Sequence, residues 1–236
     1  MQKLDQLHTF EGKAVFATEV PNLVIVEYRD TATAFGGLKR GRINGKGIIN
    51  NRMTNFLMRL LEQSGEPTCY MGEINERESL MKRVDMIPVE VIVRNVVAGS
   101  LSERLGLGEG MILTEPVVEL WYKNNELEET MVNETHVRAM GWTDLDTVTE
   151  MQRRALHINE VLRGFLKARK VELIDMKVEF GYTADGRLLV TDELDPDTCR
   201  FWDSDTHEHL DIDRFRRSIG GAEEAYQEIW KRLNEG

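Results

Sequence analysis

Asp175, Lys177 and Glu179 recur at every second position of the segment Val171 to Gly181, the spacing that puts side chains on one face of a β-strand. Ile174, Met176, Val178 and Phe180 fall on the other face, so one side reads as core and the other as chemistry. Past Ala184-Asp185-Gly186 comes a second strand, Arg187 to Leu194, and an Asp-Gly pair between alternating apolar residues signals a tight hairpin. With Asp185-Gly186 as a two-residue loop, Glu179 lies opposite Asp192. Two carboxylates across a ladder repel each other, so a cation belongs between them, and carboxylate oxygens suit Mg²⁺ with a phosphate completing its shell. The plainer alternative is a solvated acidic hairpin neutralised by Lys177.

Arg94-Asn95-Val96-Val97-Ala98-Gly99-Ser100 follows an apolar run and offers a guanidinium, a hydroxyl and a glycine that permits close backbone approach, which together suit a phosphate monoester. A turn with an incidental arginine is the competing reading. Arg200, after Pro196-Asp197-Thr198-Cys199, is a second candidate anion ligand, whereas Arg214, Arg216 and Arg217 form a third basic group of a kind that is more often a surface face. Gly45-Lys46-Gly47 lacks the spacing of a P-loop, and His207-Glu208-His209 lies in a polar stretch that argues against a metal site.

The elements that must position these groups follow from patterning. Strands are expected at Ala14 to Ala17 and Leu23 to Tyr28, then a helix from Asn50 to Gln63 that ends at Ser64-Gly65-Glu66-Pro67. Pro88 opens the run Val89 to Val93, a central strand with a change of lobe near Met86, giving lobes 1–86 and 87–236. Val148, Met151, Ala155, Ile158, Leu162 and Phe165 mark a long amphipathic helix, and Ala222 to Leu233 a closing one. At 236 residues, 41% apolar and 30% charged, the chain has the composition of a soluble globular protein. Its net charge of -11 disfavours nucleic acid as a partner, because such binding rests on phosphates neutralised by Lys and Arg. Cys69 and Cys199 show no paired spacing, no apolar run is long enough to span a bilayer, and Met1 to Asp5 carries no charged-then-apolar leader. The expectation is a reduced, cytoplasmic protein with no membrane partner.

Two segments, Met86 to Arg94 running on to Ala98-Gly99-Ser100, and Leu173 to Gly181, resemble the signature segments of the SAICAR synthetase (phosphoribosylaminoimidazole-succinocarboxamide synthase) family. Asp192-Glu193, Pro196 to Arg200 with Trp202-Asp203, Asp213 to Arg217 and Gly220-Gly221 extend the likeness over nearly the whole chain. The resemblance implies an α+β fold of two lobes, antiparallel sheets with flanking helices, and a kinase-like ATP cleft between the lobes. It implies a ligase that uses ATP to join the carboxylate of the imidazole nucleotide CAIR to the amine of L-aspartate through an acyl phosphate, in purine synthesis, as a homodimer. By the same resemblance Lys177 and Asp175 are catalytic, and Gly12, Lys13, Ala14, Lys82 and Met86 bind ATP. Glu179 and Asp192 then hold Mg²⁺, and Arg94, Ser100, Arg200, Lys123 and Arg216 bind the nucleotide substrate.

Some positions depart from the family pattern. Where Gly-Lys-Ala-Lys is usual, a gap-free register gives Phe10-Glu11-Gly12-Lys13, and a slip by two instead aligns Gly12-Lys13-Ala14. Gly36, Asn125, Glu129, Asp195 and Ile212 also differ from the usual residues. A paralogous ligase with another amine or carboxylate, or a nucleotide-binding homologue without catalysis, are the alternatives these departures raise.

Overall fold

Short alternating segments near the N-terminus build an antiparallel sheet that ends in a buried helix. The computed structural model describes residues 1–10, 12–124 and 130–235. Strands β1 (Lys3–Thr9), β2 (Lys13–Thr18) and β3 (Leu23–Tyr28) are followed by the hairpin β4 (Thr31–Ala34) and β5 (Lys39–Arg42), helix α1 (Lys46–Gln63), β6 (Tyr70–Asn75) and β7 (Glu78–Lys82). The first sheet runs β1-β2-β3-β7-β6. Strand β1 is largely exposed and lacks alternation, which is why patterning does not reveal it. Helix α1 starts four residues ahead of the expected Asn50, after Gly45 in the left-handed region. Asp30 anchors that start by accepting the Gly47 N–H at 3.0 Å and a bidentate pair from Arg77 at 2.8 and 3.2 Å, a carboxylate at the positive end of the helix dipole. Burial works against the Asp30 charge, yet the hydrogen bonds from Arg77 and Gly47 hold its carboxyl down to about 2.

The remaining elements are β8 (Asp85–Val96), α2 (Ser100–Leu105), β9 (Ile112–Tyr122), β10 (Thr130–Val132), α3 (Glu134–Ala139), α4 (Leu145–Lys167), β11 (Val171–Tyr182), β12 (Leu188–Thr191), β13 (Cys199–Asp203), α5 (Asp213–Arg216) and α6 (Ala222–Asn234). The second sheet runs β10-β9-β8-β11-β12, and β13 pairs with the first half of β11. Val89, Val91 and Val93 of β8 and Met176, Val178 and Phe180 of β11 turn to the core, where α4 packs Val148, Met151, Ala155, Ile158 and Leu162 against the sheet. Full burial of each large aliphatic side chain there contributes about 1.5–3 kcal/mol. Among the apolar contacts lies one polar match: the amides of Asn95 on β8 and Asn159 on α4 donate to each other at 2.8 and 2.9 Å. Among the described residues, no helix is long and apolar enough to cross a membrane.

Where the sheets meet, Thr68 bridges Val190 in parallel, with Cys69 N–H donating to Val190 O and Val190 N–H to Pro67 O. Arg154 of α4 clamps this splice: it ion-pairs with Glu66 and donates to Leu188 O at 2.9 Å and Pro67 O at 3.0 Å.

Two expectations about β11 are corrected. The turn to β12 holds three residues, Ala184-Asp185-Gly186, closed by Gly186 N–H to Thr183 O and Thr183 N–H to Arg187 O, with Gly186 at φ 81. That is a turn plus glycine bulge, one residue longer than a two-residue loop, so Glu179 pairs with Thr191 and not with Asp192. An irregularity between Leu173 and Asp175 also breaks the alternation. Ile174 packs with Val96, Ala98 and Trp202, apart from the cluster that holds Met176 and Val178.

Candidate active site

On the face of the second sheet away from α4, a single carboxylate oxygen gathers two arginines. Asp175, at 3% exposure, accepts from Arg94 at 3.0 Å and from Arg200 at 2.8 Å through the same Oδ2. Arg94 also donates to Glu119 Oε2 at 2.8 Å and to Ser100 Oγ at 3.0 Å, and Arg200 to Asp213 at 2.8 Å, which in turn takes Arg216 at 3.0 Å. Arg94, Ser100, Arg200 and Arg216, far apart in sequence, therefore form one basic cluster. Burial opposes the Arg200 charge, but Asp175 and Asp213 hold it firmly protonated. Gly99 makes room: at φ 52, a Cβ there would lie 2.5 Å from the Arg200 guanidinium. Asp175 is buried beneath these arginines and holds both guanidinium groups through one oxygen.

Farther along β11 the signs reverse. Glu179 pairs with Glu90 across the ladder to β8, and both are 1% exposed. Lys123 Nζ lies across both Glu179 oxygens at 2.5 and 2.6 Å, and Lys177 Nζ stands 3.2 Å from Glu90 and 3.8 Å from Glu179. Lys13, from the start of β2, ion-pairs with both Asp192 and Glu193. Burial opposes the Glu193 charge, yet Lys13 first, then Lys177 and Lys123, hold its carboxyl below the usual range. Asp192 is placed for this by its left-handed backbone, φ 66, just past β12. Lys123 thus joins the acidic cluster and not the arginine cluster. Asp175 and Glu179 are four residues apart on one strand, about 13 Å, with Lys177 between the two clusters.

The turn before β2 brings Gly12 against Lys46, whose Nζ would lie 2.9 Å from a Cβ at Gly12. Lys46, 1% exposed, pairs with Asp197 at 2.5 Å, to which Asn50 donates at 3.0 Å and Tyr226 also donates. Ala14 is wholly buried, leaving Lys13 as the member of Gly12-Lys13-Ala14 that reaches the acidic cluster. Met86 is half exposed beside Thr191, whose hydroxyl donates to its sulfur at 3.2 Å. Lys82 donates to Thr68 O at 3.3 Å and lines a cavity of about 320 Å³ with Glu62, Pro67, Leu188 and Leu189.

Among the departures, Asp195 is fully buried; its Oδ1 accepts the Asp197 N–H at 2.8 Å, and burial together with Asp197 and Glu193 pushes its carboxyl well above the usual range. Ile212 is core and Gly36 sits at φ 60 near the β4–β5 turn with open space around it. Glu11, Asn125 and Glu129 lie outside the described residues. His209, Asp211 and Asp213 bring ligand atoms within 4.8 Å of one another, but backbone N–H groups of Phe201 and Asp213 occupy Asp211, and Arg200 and Arg216 occupy Asp213.

Sequence reasoning missed Glu90, Glu119, Glu193 and Asp213 as site members. The signal for Glu90 was present, since Glu90 and Arg94 share a face of β8 opposite Val89, Val91 and Val93.

The SAICAR synthetase family model matches residues 8–233. A phosphoribosylaminoimidazole-succinocarboxamide synthase from Coprothermobacter proteolyticus is 49% identical over 233 residues, covering 99% of each chain. The crystal structure of the synthase from Ehrlichia chaffeensis superimposes with a TM-score of 0.95 at 36% identity, and a SAICAR synthetase in complex with ADP with a TM-score of 0.94 at 40% identity, each covering 98% of both chains. Family, length and fold agree, and the chain belongs to the SAICAR synthetase family.

Proposed function

We propose that this chain is an ATP-dependent carbon–nitrogen ligase that joins the carboxylate of CAIR to the amine of L-aspartate in purine biosynthesis. A free carboxylate does not acylate an amine, so one carboxylate oxygen first takes the γ-phosphoryl group of ATP, releasing ADP. The amine nitrogen then attacks the acyl carbon, expels phosphate and loses a proton. Every stage concentrates negative charge, and a preorganised array of cations is the main catalytic resource. The observation that carries the reading is Lys177 lying between an arginine cluster and an acid–lysine cluster on one strand.

In this reading Arg94, Ser100 and Arg200 grip the 5′-phosphate of the substrate, Arg216 backs them through Asp213, and Asp175 fixes the two guanidinium groups. Lys177 offsets charge on the carboxylate as it accepts the phosphoryl group. Lys13 and Lys123 serve the phosphates, and Met86 and Lys82 border the adenine. Glu179 and Asp192 offer hard oxygen donors, and the ammonium of Lys123 already lies where a cation is wanted, so the residues fit Mg²⁺. Bound there, Mg²⁺ would neutralise the ATP phosphates. Asp195 accepts the Asp197 N–H within a turn and Ile212 packs in the apolar core, structural roles that weigh against a paralogue with changed chemistry. We place the enzyme in the cytoplasm as a homodimer, its free Cys69 and Cys199 both buried and exposed apolar side chains such as Ile112 (72%) and Leu105 (60%) available for contact.

The test is ADP release with CAIR and a panel of amino acids, with and without Mg²⁺. Turnover with L-aspartate alone supports the reading; turnover with another amine, or none, sinks it.

A further inference from the structure

Lys13 and Lys123 do more in this structure than wait for phosphate. Lys123 spans both oxygens of Glu179, and Lys13 is paired with both Asp192 and Glu193. The two carboxylates best suited to a metal are thus each held by an ammonium. The ring of Phe10 lies near both lysines, 5.3 Å from Lys13 Nζ and 5.6 Å from Lys123 Nζ, so the two ammoniums gather around one aromatic ring. Four carboxylates (Glu90, Glu179, Asp192, Glu193) face three ammoniums (Lys13, Lys123, Lys177), which leaves one net negative charge. One charge is little to draw a divalent ion out of its water shell, and the ion must also displace an ammonium held by two hydrogen bonds.

We propose that Lys13 and Lys123 are internal counter-cations that bar metal from Glu179 and Asp192 until a nucleotide polyphosphate arrives, so that metal enters with the nucleotide and not ahead of it. The polyphosphate offers the lysines new oxygens, and their flexible four-carbon stems let each ammonium move across while its backbone stays in place. The carboxylates released in that exchange become metal ligands. This makes the two lysines positioning residues for metal order as well as phosphate ligands, and it rests on the reading of Glu179 and Asp192 as metal ligands.

The test uses Mn²⁺ as a paramagnetic probe, with free ion counted by its resonance signal, on the full-length protein and on Lys13→Met, Lys123→Met and Glu179→Gln, each with and without ADP. The wild type should bind Mn²⁺ at least ten-fold more tightly when ADP is present. Lys123→Met and Lys13→Met should each tighten nucleotide-free Mn²⁺ binding at least ten-fold and shrink the further gain from ADP. Adding Glu179→Gln to Lys123→Met should erase the gain. Equal Mn²⁺ affinity of the wild type with and without ADP overturns the proposal with no variant needed. So does unchanged or weakened nucleotide-free binding in the folded lysine variants, and if Glu179→Gln still weakens binding with ADP, the metal site itself stands. Mn²⁺ binding with ADP that ignores Glu179→Gln removes the metal assignment and the proposal together.

Discussion

Glu90 and Glu179 stand directly opposite each other across the β8–β11 ladder, both nearly free of solvent contact. Like charges at such a position destabilise a sheet, and here Lys177 bridges them while Lys123 pairs with Glu179. The cost of that arrangement is one the fold accepts for the sake of the chemistry on this face.

Replacing Lys177 by Met should therefore act on both levels. Turnover should fall at least about 100-fold, as for other losses of a charge-stabilising group, while the Michaelis constant for CAIR changes little. Stability should fall by about 1–3 kcal/mol because Glu90 loses a charged partner. Steady-state ADP release and urea unfolding measure the two effects, and wild-type turnover in the variant would remove Lys177 from the mechanism.

Gly99→Ala tests the arginine cluster without altering any of its charges. The added methyl meets the Arg200 guanidinium at 2.5 Å on a backbone at φ 52, so Arg200 must move. The Michaelis constant for CAIR should rise about ten-fold or more, while ADP affinity by calorimetry stays within about two-fold. Equal weakening of both ligands would place the defect in the fold.

Asp30 sets a stability term with a defined pH window. Its carboxyl is held down to about 2, below the ordinary value near 3.8, so the native state binds the proton less readily than the unfolded chain. The contribution is complete above about pH 4 and is lost as pH falls through 2. Urea unfolding of wild type and Asp30→Asn should differ most at pH 5 to 7, with the gap closing towards pH 2. A gap independent of pH would show that the carboxylate charge is not the source.

Arg154→Ala should be among the most damaging single changes in the chain. It leaves Glu66, 4% exposed, without its guanidinium and strips donors from Pro67 O and Leu188 O at the splice between the sheets. A loss of about 3–5 kcal/mol, or roughly 10 °C in melting temperature, follows from breaking a buried pair. Calorimetry showing a drop under 2 °C would mean the splice holds without it.

Much of the site was legible because its residues punctuate apolar strands: Arg94 in β8 and Asp175, Lys177 and Glu179 in β11 interrupt otherwise hydrophobic alternation. Their partners were not. Ala184-Asp185-Gly186 differs from a two-residue loop by one position, and that position decides whether Asp192 or Thr191 faces Glu179. The Glu90–Glu179 pair joins strands about ninety positions apart, and the Lys13–Asp192 pair joins the two sheets; no local pattern encodes either. Strand β1 was missed because an exposed edge strand carries no periodic burial. Asp195 read as a departure from the family pattern, and in the fold it is a buried acid inside a turn, accepting the Asp197 N–H.

The reciprocal amides of Asn95 and Asn159 sit one residue along from Arg94, on the opposite side of the sheet. Two identical groups that each give and take one hydrogen bond work as a key in a lock: they match at a single rotation and a single height of α4. Sliding the helix by one turn would strand donors and acceptors in a dry interior, at about 1–3 kcal/mol for each group left alone. An all-aliphatic seam would tolerate such slippage far more cheaply. The tolerance to which Arg94 is aimed, in the proposed reading at a phosphate, is thus set from behind, by a pair of residues on the opposite side of the sheet.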